Sequence, residues 1–90
     1  MHAVVVRVTI GDADVAQKGL QEQILPRVSK APSLVAGYWT LSDDRKSGVS
    51  MIVFEGEEAA RGAAAMVGNG PFPESVTLDS VEVRQVVANL

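Results

Sequence analysis

Along residues 2 to 10, Val4, Val6, Val8 and Ile10 fall on one side of the chain and Ala3, Val5, Arg7 and Thr9 on the other, the two-residue period of a β-strand. Gly11-Asp12-Ala13-Asp14 interrupts the run and supplies an Asp to cap a helix, with a second acid near its positive end. Ala16, Leu20, Ile24 and Val28 then recur every fourth residue, an apolar stripe that drifts around a helix axis while Lys18, Gln21 and Glu22 point elsewhere. Pro26 removes one backbone donor and crowds the preceding turn. A kink or change of register is therefore predicted over Arg27 to Lys30, before Ala31-Pro32-Ser33 ends the helix.

Residues 34 to 54 read as a hairpin, two β-rich runs around the turn-forming Asp43-Asp44-Arg45-Lys46-Ser47-Gly48. Its strands are apolar on both faces. Strict alternation sets Val35, Trp39 and Leu41 against Leu34, Ala36 and Tyr38, and Val49, Met51 and Val53 against Ile52 and Phe54. A strand with one wet face would alternate apolar with polar residues, so both sides of this hairpin call for a cover.

Gly56-Glu57-Glu58 predicts a second, short helix whose buried stripe, Ala60, Ala63, Ala64 and Val67, is almost wholly small and permits close approach to a sheet. A loop follows at Gly68-Asn69-Gly70-Pro71-Phe72-Pro73-Glu74, with Phe72 read as exposed. Alternation resumes over residues 76 to 88 as a closing strand. The order βαββαβ with right-handed crossovers gives one ferredoxin-like α+β domain over residues 1–90. Its four-stranded antiparallel sheet has the strand order 4-1-3-2, with two helices on one face. The bare apolar face then needs a second copy of the chain, so a homodimer is expected.

Composition narrows the partners. Ninety residues bury roughly 60 to 65% of their unfolded surface, which favours oligomerisation. Net charge −3 without a basic run argues against nucleic acid, and no apolar stretch is long enough to cross a membrane. The first residues lack the charged start of a signal peptide and Arg7 interrupts the apolar run, so a cytoplasmic location is expected. The absence of cysteine excludes disulfides and thiolate metal sites, and no metal or cofactor is expected. The third strand, Ser47 to Phe54, lacks the aromatic residues with which RNA-recognition folds stack bases.

The first strand of valines, Ile24-Leu25-Pro26-Arg27-Val28 before Ala31-Pro32, Gly37-Tyr38-Trp39, and Phe54-Glu55-Gly56-Glu57-Glu58-Ala59-Ala60 together resemble small members of the dimeric α/β-barrel superfamily. Within it, the chain is most similar to antibiotic-biosynthesis-monooxygenase-like domains. The resemblance implies two facing sheets in a barrel-like dimer and, in each subunit, a cleft between sheet and helices where catalytic members hold aromatic substrates or haem. Haem-degrading relatives carry an Asn, a Trp and a His where this chain has Arg7, Phe54, and Met66 or Val67, so that activity is not implied.

Ligand-cleft candidates are Arg7, Tyr38, Trp39, Ser50, Phe54 and Arg84. Tyr38 and Trp39 offer large rings with one polar tip, though core or dimer packing is the simpler reading, and as neighbours on a strand they point to opposite faces. Arg7 offers charge for a carboxylate or phenolate but is more simply paired with Glu82 on the adjacent last strand. Arg27 reads as a snorkelling side chain at a negative helix end, His2 as an isolated imidazole, and Asp43-Asp44 as a solvated turn. The leading expectation is a small-molecule-binding homodimer, with a small aromatic ligand as its partner and without catalytic machinery of its own. The alternatives are a cofactor-independent monooxygenase acting on a phenolic substrate and a regulatory ligand-binding module.

Overall fold

The computed structural model describes residues 1–90. The valine-rich opening forms β1 (His2–Ile10), and β2 (Leu34–Leu41), β3 (Ser47–Phe54) and β4 (Val76–Gln85) complete one sheet. The strand order is β2-β3-β1-β4 with every neighbour antiparallel, as the βαββαβ order predicts. One face is covered by α1 (Ala13–Gly19), a π-helical turn (Leu20–Ile24), α2 (Leu25–Val28) and α3 (Glu57–Asn69). Between the layers lies a core of Val4, Val6, Ile52, Phe54 and Ala60, with Trp39, Val28, Ala63, Ala64 and Val67 packed around it.

Asp12 caps α1 as its position predicts, its carboxylate accepting from the N–H groups of Asp14 (3.0 Å) and Val15 (3.1 Å). The disturbance expected from Pro26 is present, but it lies upstream of Arg27, in the π-turn. There the Leu25 N–H reaches back five residues to the Leu20 carbonyl. The wide turn also answers the drift of the stripe. Four residues overshoot an α-helical turn by about 40°, and a turn closed by i→i+5 bonds takes up the excess.

Each outer strand departs from strict alternation by one residue. In β2, Leu34 faces Phe54 and Ala36 faces Val53, which leaves Val35 as a bulge. This corrects the face assignment from alternation. Leu34 joins Trp39 against the core, while Val35 turns out to solvent. In β4 the register slips between Ser80, opposite Arg7, and Leu78, opposite Val8, so Asp79 is the extra residue; its carboxylate accepts from the Thr9 hydroxyl at 2.7 Å.

β4 stops at Gln85, short of residue 88, because its partner β1 begins at His2, directly opposite Gln85. Only the Val86 N–H continues the pairing, donating to the Met1 carbonyl at 3.0 Å. The face without helices exposes Tyr38 (66%) and Met51 (44%), which stand opposite each other on β2 and β3, together with Val49. No helix is long and apolar enough to cross a membrane.

Candidate ligand cleft

Between the sheet and the helices lies a cavity of about 360 Å³. Its floor comes from the inward residues of three strands, including Val6 and Val8 of β1, Trp39 of β2, and Ser50, Ile52 and Phe54 of β3. The roof is the re-phased stripe Ala16, Leu20, Ile24 and Val28, and Ala63 and Val67 of α3 form a side wall. Ala63, the α3 alanine in this lining, extends only one carbon toward the sheet and so leaves part of the gap unfilled.

The loop before β4 closes one end. Phe72, expected to be exposed, is half-buried and lines the cavity, and Pro73 is buried against Gly19. A Cβ at Gly19 would stand 2.5 Å from Pro73 Cβ, so only glycine admits this approach. The proline-rich loop is therefore held against the end of α1, and the ring between Pro71 and Pro73 turns inward.

Trp39 sets the other end. Its six-membered ring lies back over Gly37, where a Cβ would be 2.9 Å from both Cζ3 and Cη2. Trp39 and Val28 also border a second space of about 180 Å³, lined by Leu25, Ser29, Leu34 and Gly37. The indole thus stands between two voids.

The polar groups along the main cavity are few. Ser50, 8% exposed, lies opposite Trp39 in the β2–β3 register, and neither the Ser50 hydroxyl nor the Trp39 indole N–H hydrogen-bonds to a protein group. Gln17, Gln21 and Arg27 reach the cavity from the helices, and no carboxylate or imidazole lines it.

Of the six candidates from sequence, Trp39, Ser50 and Phe54 come together here. Arg7, Tyr38 and Arg84 stand on the opposite face of the sheet, and all three are exposed. The expected Arg7–Glu82 pair does not form. Register sets Glu82 opposite Val5 and Arg7 opposite Ser80, and Glu82 instead pairs with Arg84 of its own strand at 3.0 Å. Sequence reasoning passed over Gln17, Gln21 and Phe72, and took Arg27 only for a snorkelling side chain. The i, i+4 spacing of Gln17 and Gln21 along the flank of the stripe was the available signal.

Away from the cleft, His2 Nε2 lies 3.9 Å from Glu57 Oε1, and its buried Nδ1 has no hydrogen-bond partner. The Arg61 guanidinium, hydrogen-bonded to Glu57, lowers that carboxyl's pKa, with a smaller contribution from His2. Asp44 is lowered by the Ser42 hydroxyl and then by the Lys46 N–H, both donating to it. This is the solvated turn expected of Asp43-Asp44, and no cluster of three or more His, Asp or Glu gathers that would hold a metal.

No protein-family model and no curated protein matches the sequence. Among solved structures, the chain is similar to a monooxygenase from the gene ActVA-Orf6 of Streptomyces coelicolor in complex with Nanaomycin D. The two share 13% identity over 99% of this chain and 90% of that one, with a TM-score of 0.59. At that identity the likeness is one of fold: the two chains share the ferredoxin-like α+β architecture.

Proposed function

We propose that the protein is a small-molecule-binding homodimer that receives an apolar, ring-bearing ligand between sheet and helices. The observation that carries this reading is the lining. Nineteen of its 28 residues are hydrophobic, Trp39, Phe54 and Phe72 supply flat surfaces, and the volume of about 360 Å³ falls within the range of small-molecule sites. Transfer of an apolar ring from water into such a lining is favourable by about 25 cal/mol per Å² buried. The sheet face bearing Tyr38, Met51 and Val49 supports the dimer, because a second copy would cover it.

The experiment is calorimetric titration of the protein with 2-naphthol, alongside an Ala63→Leu variant that fills the cavity from α3. Saturable binding in the native protein, abolished in the variant while its circular dichroism stays native, is the expected result. Native protein that evolves no binding heat sinks the cleft reading. Sedimentation of a 9.5 kDa monomer at micromolar concentration sinks the dimer.

A second reading, cofactor-independent oxygenation of a phenol, draws on the structural neighbour being a monooxygenase. General base catalysis needs a proton acceptor within hydrogen-bond reach of the reacting group, and Gln17, Gln21, Ser50 and Arg27 are weak in that role. Binding without base chemistry is the better fit to this lining. Oxygen consumption with an anthrone-like substrate, lost on filling the cavity, would reverse the order of the two readings.

A further inference from the structure

The charge of the cleft narrows the ligand class, resting on the binding reading above. Five arginines occur in the chain. Three are committed to carboxylates: Arg45 to Asp14 at 2.7 Å, Arg61 to Glu57 at 2.7 Å and Arg84 to Glu82 at 3.0 Å. Arg7 and Arg27 have no ion-pair partner, and of these two only Arg27 lines the cavity. Arg27 is also the one charged side chain in the lining, in a protein whose net charge is −3. Arg27 is solvent-exposed at the rim of this cavity, and no carboxylate in the lining competes for its charge.

Ser50 supplies a second polar group toward the same cavity. Ser50 is more than nine-tenths buried, on the cavity floor, with a hydroxyl that meets no protein group. Its oxygen is not sealed off, so it is free to meet a group that enters the cavity.

We infer that the cleft takes an amphipathic carboxylic acid, its ring body on the apolar floor near Ser50 and its carboxylate held by Arg27. A carboxylate is favoured over a phenol by two general facts. Arg presents a planar fork that meets both carboxylate oxygens at once. A carboxylic acid is ionised at neutral pH, whereas a phenol of ordinary pKa near about 10 is not.

The test compares 2-naphthoate with its methyl ester by calorimetric titration at pH 7.5, on the native protein and on Arg27→Met, Arg27→Lys and Arg84→Met. The acid should bind native protein about tenfold or more tighter than the ester, a typical margin for a charge-assisted pair. Arg27→Met should erase that preference, Arg27→Lys should keep part of it, and Arg84→Met, which removes a cation of the opposite face, should leave it intact. Equal binding of acid and ester in the native protein, or a preference unchanged in Arg27→Met, overturns the inference. If 2-naphthol and the ester bind while the acid gains nothing, the cleft reading stands and the carboxylate assignment falls. If no probe binds, both fall.

Discussion

The Trp39 indole lies folded along its own strand over Gly37, so close that a methyl at position 37 would meet two ring carbons at 2.9 Å. Gly37→Ala must therefore displace the ring or strain the strand. A cost of about 1–3 kcal/mol is expected, in the range of overpacking. Because Trp39 is the sole tryptophan, its emission maximum should move in the same variant. Unchanged emission and stability would mean that the ring does not rest on Gly37.

Two helical glycines should respond to the same substitution with opposite signs. At Gly62 nothing lies within 4 Å of an added Cβ, so Gly62→Ala should stabilise by about 0.5–1 kcal/mol through helix propensity. At Gly19 the methyl would stand 2.5 Å from Pro73 Cβ, and Gly19→Ala should lose about 1–3 kcal/mol despite the same propensity gain. Urea denaturation of the pair reads both.

On α3, Ala60 is fully buried and Ala64 only partly so. Ala60→Leu should cost about 1–3 kcal/mol or more by overpacking, and Ala64→Leu less. Equal melting temperatures for the two variants would contradict the orientation of the helix.

The carboxyls of Glu57 and Asp44 have folded pKa values below their ordinary ones, through Arg61 and Ser42 respectively. A depressed folded value means that the unfolded chain takes up the proton first. The stabilisation is thus complete above the unfolded pKa and disappears as pH falls through the folded one. Arg61→Met and Ser42→Ala should each make the loss of stability between pH 5 and pH 2 shallower. Both groups are at the surface, so the change is small and should weaken further in salt.

The element order and sheet topology were legible because period and punctuation agree in this chain: valine alternation, an Asp cap, a polar turn and a glycine stop. The two bulges were not, since a one-residue insertion reverses the facing of everything beyond it and leaves no mark when both faces are apolar, as at Leu34-Val35-Ala36. The π-turn was half legible. Unbroken spacing by four and Pro26 both signal a helix that cannot stay α-helical, but neither says which turn yields. Of the cleft, the floor residues Trp39, Ser50 and Phe54 could be named from their strands. Choosing between faces needed the register, and that is what left Arg7, Tyr38 and Arg84 on the far side. Phe72 and Arg27 depend on a loop path and a helix rotation that no local pattern encodes.

The bulges at Val35 and Asp79 sit on β2 and β4, the outer strands, while β1 and β3 pair with each other without interruption. An outer strand presents unpaired N–H and C=O groups to any extended chain that comes alongside, and a regular one templates indefinite lateral growth. An extra residue breaks the even spacing of that row and twists it out of line. With one such break at each margin, the sheet resists fibril-like extension sideways. A chain with so much valine can in this way carry a largely apolar sheet at its centre and still be a poor seed for aggregation along its edges.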